Sequence, residues 1–515
     1  MKRTIILAVL DGWGIGSRDD SNPIHVVNPQ KFNYLKANFP YGLLQASGIS
    51  VGLPWGEEGN SEVGHLNLGA GKIFYQHYPT ISISISDGSF FKNQTLENVF
   101  EHTQKNNSNV NIIGLLSQGN VHASFDHLTA LIDFFQQKKV KKINLHLFTD
   151  GRDSSPNSAL ELLARLPKAE NIVLASIGGR FFGMDREKHW DRIEKGYSVL
   201  VGDGEFAEDI DAHIKKTYEQ KTTDEFIEPV RVGPPDSAIK ENDAVVFFNF
   251  REDRMRQMAS VFIDKNFKNF TIKPLNNLYV ATMTQYDDAL SAPVIFKSEK
   301  IEVPLGKVLA DNNKIQLRIS ETQKYPHITY FFNGMKDEPF KNEYRVLVPS
   351  KLIIHQENQS EMMAPEITNR VIQSIGEGIY DFILVNYANA DMLAHTANYK
   401  ACIKAVEVIN EQIGKIVDAV LECGTVLIIT SDHGNMERII DLLTGEPETR
   451  HNISPVPFHL VAKEFEHKKT PEEIREAEKT SIGVLADIAP TILELMGLPK
   501  PKEMTGQSLL KFLLE

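Results

Sequence analysis

The chain is poor in cysteine: it has two among 515 residues, Cys402 and Cys423. Both fall on one expected helix, more than about five turns apart, so they cannot pair within it. A disulfide framework is excluded, and a reducing compartment is the natural reading. Long apolar runs are also lacking. The opening MKRTIILAVLDGWG has an apolar stretch from Ile5 to Leu10 that Asp11 ends, too short for a signal-peptide core. No run is long enough to span a bilayer, so a soluble, cytoplasmic protein is expected. Positive charge is in deficit, with a formal net charge of −13, which argues against nucleic acid or an anionic membrane surface as partner. No internal repeat and no low-complexity segment is present. Two common glycine devices are incomplete. In EEGNSEVGHLNLGAGK (57–72), Leu66 stands where a phosphate loop needs its first glycine, and Ile73 replaces the magnesium-binding hydroxyl. Ser61 lies between Gly59 and Gly64 at the wrong offset for a nucleophile elbow. Ser61 therefore needs another explanation.

What is present is alternation of short apolar runs with helical patterns. Expected strands are Ile5–Leu10, Val110–Leu116, Ile143–Phe148, Ile172–Ser176, Ala244–Asn249, Leu278–Met283, His327–Phe332, Phe382–Asn386 and Val426–Thr430. Many lack a period of two, as parallel strands covered on both faces do. The fold class is therefore α/β with open, mostly parallel sheets. The clearest helix is Tyr399 to Cys423, with a one-sided stripe of Cys402, Ala405, Ile409, Ile413, Ile416 and Val420. A chain of this length exceeds one core, so two domains are expected. Two extended, proline-flanked stretches, 76–88 and 292–306, suggest crossings. Residues 78–296 would then be an insertion, and 1–77 with 297–515 would build the other domain.

In open α/β sheets the chemistry collects beyond the carboxyl ends of the strands. There the outer segments supply Asp11, then Asp391 and His395 in YANADMLAH, then Asp432 and His433 in SDHGN; His451 follows in a loop. Asp391 and His395 are spaced i, i+4, which puts both on one face of a helical turn. Carboxylates and imidazoles without thiolate suit Mn²⁺ or Zn²⁺. Two such ions, roughly 3.5–5 Å apart, suit in-line phosphoryl transfer. A bound cation would also acidify a serine hydroxyl that has no histidine base, and Ser61 is the candidate. Any single Asp here could be a turn or helix cap; recurrence at several strand ends is what favours a metal site.

The middle segment reads differently. Its strand ends carry His122 and Asp126, Arg152 and Asp153, Arg180 and Arg186, and Arg251 and Arg254. Guanidinium groups at several equivalent places make an anion pocket, since each can bind phosphate or carboxylate by paired hydrogen bonds. Asp153 could move protons at a substrate hydroxyl, with His122 as partner.

The motifs LDGWGIG, GNSEVGHLNLGAG, TDGRD, GGRFFGMDR, NFREDR, ETQKYPHITYFFNG, NYANADMLAHT, SDHGN and DIAPTILELMGLP occur in one order from about residue 4 to residue 511. Together they resemble the cofactor-independent (2,3-bisphosphoglycerate-independent) phosphoglycerate mutases of the alkaline phosphatase superfamily. The resemblance implies a metal-binding phosphatase-like domain from 1–77 and 297–515 and a transferase domain from 78–296. It implies two manganese ions, one held by Asp391, His395 and His451, the other by Asp11, Ser61, Asp432 and His433. Lys324 would steady the transferring phosphoryl group. Arg180, Arg186, Arg251 and Arg254 would contact phosphate and carboxylate, and His122, Arg152 and Asp153 would hold glycerate. The implied reaction interconverts 3-phosphoglycerate and 2-phosphoglycerate through phosphoserine at Ser61, with the glycerate retained meanwhile, in a monomer.

Some positions depart from the family pattern: Ala390 where proline often precedes the metal-binding Asp, Ala394 and Ala397 for glycines, no arginine in HYPTISISI, and VNP at 27–29. None removes an implied ligand. A phosphomonoesterase or phosphopentomutase on the same metal core is the alternative enzyme, and a catalytically dead binding protein is the alternative from another class.

Overall fold

The computed structural model describes residues 3–351 and 356–514. It divides into two compact units, Met1–Gln76 with Glu299–Glu515, and His77–Ser298. Among the described residues, no helix is long and apolar enough to cross a membrane.

The first unit is built on an eight-stranded sheet. Its spatial order is Glu343–Val348, Gln316–Glu321, Phe382–Tyr387, Ile5–Leu10, Val426–Thr430, Val456–Val461, Tyr41–Gln45 and Ser481–Val484. The first five are mutually parallel; Val456–Val461 runs antiparallel to both neighbours. Ile5 aligns with both Phe382 and Val426, so the carboxyl ends of three strands finish side by side. The central strand explains the missing alternation. Ile6, Ala8 and Leu10 enter one apolar cluster with Ile413 and Ile416, while Ile5, Leu7 and Val9 enter another with Ile488 and Ile492. With helices on both faces, every position must be apolar.

The 25-residue helix Tyr399–Cys423 covers one face. Asn398 caps its start by accepting from the Ala401 amide, and Gly424 ends it at φ 66°, a left-handed conformation that favours glycine. Its expected stripe is buried throughout. Each fully buried aliphatic side chain contributes roughly 1.5–3 kcal/mol, and truncating Ile413 to alanine would cost about 2–5 kcal/mol.

The second unit has a six-stranded sheet in the order Val230–Arg231, Ile172–Gly179, Ile143–Thr149, Val110–Leu116, Ala244–Phe247 and Tyr279–Thr282, parallel except for Val230–Arg231.

Two expectations are corrected. His327–Phe332 is not a strand. It is a wide helical turn in which Phe332 N donates to His327 O, 3.1 Å, and it follows the strand Gln316–Glu321. Its aromatic and β-branched residues carry strand propensity, but Ile328 and Phe332, four apart, both enter the core on one helical face. The stretch 76–88 is not extended: His77–Ser86 is a helix. The Ile-Ser alternation imitates a strand, yet Tyr78, Ile81 and Ile85 meet the core of the 77–298 unit at helical spacing, and Pro79 sits in the first turn, where its missing N–H costs nothing. The 292–306 stretch contains no regular element until the helix Leu305–Asp311, apart from one bridge at Val294. The Ala244 strand ends at Phe247 rather than Asn249, whose side chain instead accepts from Leu115 N at 2.9 Å.

Candidate active site

Backbone geometry brings the acids of the first unit together. Asp11 follows its strand directly, its N–H bonded to Tyr387 O at 3.0 Å, and its own carbonyl accepts from Asp391 N at 2.9 Å. Gly12, at φ 73°, permits this approach, since a Cβ there would lie 2.7 Å from Asp391 Cα. Gly64 does the same for the opposite wall: its Cβ would sit 2.5 Å from Asp432 O. Ser61 is the first residue of the helix Ser61–Ala70, and Asn60 caps that helix by accepting from Val63 N at 2.9 Å. A helix N-terminus favours negative charge, as on a phosphorylated serine.

Ser61 Oγ lies 2.9 Å from His433 Nε2, 3.1 Å from Asp11 Oδ1 and 2.8 Å from Lys324 Nζ. The Lys324 ammonium also donates to Asp11 Oδ1 at 2.6 Å and to Asp391 Oδ2 at 2.7 Å. Burial disfavours its charge, but Asp11 and Asp391 outweigh burial and raise its pKa. Burial likewise opposes charge on His433, yet Asp432, Asp11 and Asp391 push its imidazole up to about 9. Asp432 Oδ1 accepts from Gly12 N, 3.2 Å, and from His433 N, 3.1 Å. Its Oδ2 is buried without a hydrogen-bond partner among the described residues, 3.1 Å from His65 Nδ1.

The residues fit metal ions, and the hydrogen bonds say why. His395 Nδ1 lies 2.8 Å from Thr449 O and His451 Nδ1 lies 2.8 Å from Gly59 O. A carbonyl only accepts, so each Nδ1 carries a hydrogen, and the lone pair that a metal would take is at Nε2. Those two Nε2 atoms are 3.1 Å apart, and each is 3.2 Å from Asp391 Oδ1. Three lone-pair atoms converging on one point suit a cation. Ligand atoms within 4.8 Å of one another form three such groups: Asp391, His395 and His451; Asp11, Asp391 and His433; and Asp11, His65 and Asp432.

Every candidate of the outer segments thus lies in one cluster, including Lys324, where its hydrogen bonds reach Ser61, Asp11 and Asp391. Residues the sequence reasoning missed are His65, Asn386, Asn435 and Glu437. Asn386 donates to Asp11 Oδ2 at 2.8 Å and Asn435 to Asp391 Oδ1 at 2.8 Å. The Glu437 carboxylate accepts from Gly14 N at 3.0 Å and Asn435 N at 2.9 Å, tying two ligand-bearing loops together. Of these, His65 left a signal: it follows Ser61 by one helical turn.

In the second unit, Arg152, Arg180, Arg186 and Arg254 line one cavity of about 260 Å³. Arg251 is not part of that lining; its half-exposed side chain pairs with Asp253 at 3.3 Å. Arg180 donates to Asp150 at 2.5 Å and to Asp153 at 2.8 Å. Asp150 organises the TDGRD turn by accepting from the amides of Arg152, Asp153 and Ser154. Asp153 lies 4.0 Å from His122, whose pKa burial, then Arg180, lowers to about 4, leaving it neutral at pH 7. Arg254 makes no ion pair among the described residues; burial, then Arg186 and Arg180, disfavours its charge.

The model of the BPG-independent PGAM N-terminus matches residues 81–288. The chain is 44% identical to the 2,3-bisphosphoglycerate-independent phosphoglycerate mutase of Clostridium botulinum, covering 99% of this chain and 100% of that protein. It is 42% identical to the protein of the same name from Ectopseudomonas mendocina, covering 99% of each. A solved structure of Leishmania mexicana phosphoglycerate mutase, at low cobalt concentration, matches with a TM-score of 0.53 and 29% identity over 98% of this chain and 97% of that one.

Proposed function

Because the chain belongs to the 2,3-bisphosphoglycerate-independent phosphoglycerate mutases, isomerases that interconvert 3-phosphoglycerate and 2-phosphoglycerate, we propose that Ser61 accepts and returns the phosphoryl group. The observation that carries this is the setting of its Oγ, at a helix N-terminus and within 2.8 Å of a buried ammonium and 2.9 Å of an imidazole. Ser61 Oγ bonds to the phosphorus of 3-phosphoglycerate as the bond to the glycerate oxygen breaks. The serine proton leaves to the neighbouring acid–imidazole cluster, and the departing alkoxide takes up a proton. Lys324 holds the transferring group's negative charge through both halves of the reaction. The 2-hydroxyl of glycerate then takes the phosphoryl group, and Ser61 regains its proton. Asp153, with His122 as partner, moves protons between the two glycerate hydroxyls. Arg152, Arg180, Arg186 and Arg254 supply charge for the carboxylate and phosphate, with Arg251 assisting from outside the cavity.

Two divalent ions, manganese in our reading, would be held by Asp391, His395 and His451 and by Asp11, Ser61, Asp432 and His433; when bound they acidify the serine hydroxyl and offset phosphoryl charge. In this assignment residues 1–77 and 297–515 handle the phosphoryl group and 78–296 hold the glycerate. The test is Ser61→Ala. Isomerisation without added bisphosphoglycerate should fall by at least about 10³-fold, metal binding should stay largely intact because the other ligands remain, and peptide mass spectrometry of quenched wild-type enzyme should find phosphate on Ser61. Isomerisation surviving in the variant sinks the covalent route.

A further inference from the structure

The first unit holds a cavity of about 700 Å³ beside the Trp13–Ser17 loop. No step proposed above uses it. Its volume lies in the range of small-molecule sites and far exceeds a bare inorganic anion. Its charge is opposite to that of the chain as a whole. Arg18, Lys36, Arg475 and Lys479 line it against a single carboxylate, Glu478, in a protein of net charge −13. Glu478 is already engaged, accepting from Arg18 at 2.6 Å and from Lys36 at 2.8 Å. Arg475 makes no ion pair among the described residues, and Lys479 pairs with Glu476 at 2.5 Å, a carboxylate outside the lining, at the exposed rim. Trp13, Phe32 and Ile474 give the walls apolar surface.

The same lining contains His459, which is fully buried, and neither of its ring nitrogens has a hydrogen-bond partner among the described residues. Burial, then Lys36 and Lys469, holds its pKa well below the usual range, so the ring is neutral. A neutral imidazole offers one N–H and one lone pair. Leaving both unmade in a buried site costs about 1–3 kcal/mol each, and packing gives no reason to keep a histidine there: it lies against Tyr41 at 4.7 Å and Phe32 at 6.0 Å between ring centroids, neighbours that an apolar side chain would also satisfy.

We propose that this cavity binds an organic phosphate with a planar, hydrogen-bonding body, of the nucleoside monophosphate class. The phosphate would meet Arg475 and Lys479, the body would lie along the apolar walls, and the donor–acceptor pair of His459 would face its heterocycle. The site adjoins the catalytic loop: Trp13 N donates to Ser431 Oγ at 3.0 Å, two residues from Asp11.

The test is isothermal titration of the full-length, metal-loaded enzyme with AMP, with adenosine and ribose 5-phosphate as partial ligands, in phosphate-free buffer. The expected result is saturable AMP binding at least tenfold tighter than either partial ligand. Arg475→Ala with Lys479→Ala should weaken AMP at least tenfold and leave isomerisation unchanged, because both residues are exposed and distant in sequence from every proposed catalytic group. Arg152→Ala with Arg254→Ala, in the other unit, should leave AMP binding intact. The proposal is overturned if AMP does not bind, if ribose 5-phosphate binds as tightly, if AMP binding survives loss of Arg475 and Lys479, or if it disappears with Arg152 and Arg254.

Discussion

Replacing Lys324 by methionine isolates the electrostatics of the site. The ammonium is buried, its side chain 5% exposed, and lies 2.6 Å and 2.7 Å from two carboxylates. At an effective dielectric of about 20, each contact is worth roughly 6 kcal/mol. Desolvating the ammonium offsets much of that, and removing one partner of a buried ion pair typically costs about 3–5 kcal/mol because the other charge is left alone. Here two carboxylates, Asp11 and Asp391, are left, with Asp432 close by. For a unit of roughly 290 residues the entropy of unfolding is about 0.6 kcal/mol per kelvin, so the unfolding midpoint should drop by about 5–8 °C. The assay is calorimetry in excess EDTA. With saturating manganese the deficit should shrink to less than half, because the ions supply the missing positive charge. Equal midpoints for wild type and Lys324→Met in EDTA would falsify the claim that Lys324 is the counter-charge of this cluster.

Metal affinity should depend steeply on pH. In the metal-free protein His433 holds a proton up to about pH 9, and a metal must displace it. Apparent manganese affinity should therefore rise about tenfold per pH unit from 6.5 to 8.5 in titration calorimetry; a flat profile removes His433 from the ligands. The same raised pKa has a stability consequence of opposite sense in EDTA: its contribution is complete below about 6.5 and is lost as pH rises through 9. Gly64→Ala should cost about 1–3 kcal/mol in denaturant unfolding and weaken metal binding, since the new Cβ meets Asp432 backbone at 2.5 Å. Gly376→Ala, in a helix with nothing within 4 Å, should instead stabilise by about 0.5–1 kcal/mol. If the two changes act alike, close packing behind Ser61 is not what Gly64 provides.

The contrast between what could and could not be read from the chain has a physical pattern. Strands buried on both faces, such as Ile5–Leu10 and Val426–Thr430, are uninterrupted apolar runs, and their limits are those expected. Gln316–Glu321 escaped because it carries Arg318, which is fully buried yet held by Gln316 at 2.6 Å and stacked 4.7 Å over Phe332, a ring fourteen residues on that no local strand pattern links to it. Val456–Val461 escaped because Pro457 and His459 interrupt it. The ligands themselves were legible for the reason that they punctuate strand ends: an acid or imidazole directly after an apolar run is conspicuous. The groups that aim them were not. Asn386 counted as the last residue of a strand, and Glu437 had no mark of its own, until the fold brought one beside Asp11 and the other beneath Gly14.

The misreadings at 76–88 and 327–332 share one cause. Isoleucine, serine and aromatic residues in alternation favour a strand locally, but a strand requires a neighbour to receive its hydrogen bonds. In the 77–298 sheet the described outermost strands are Val230–Arg231 and Tyr279–Thr282, and His77–Ser86 pairs with neither. In the other sheet, Gln316–Glu321 already lies between Glu343–Val348 and Phe382–Tyr387, so the segment that follows it has no open edge there. Each segment satisfies its backbone internally, as a helix does, and sends its apolar residues inward every third or fourth position. For the second segment that choice has a chemical result: the turn Thr322–Lys324, ahead of the wide helical turn, ends with Lys324 among the acids. Had His327–Phe332 continued as a strand, the chain would have run past the site and the ammonium that meets Ser61 would have no fixed place.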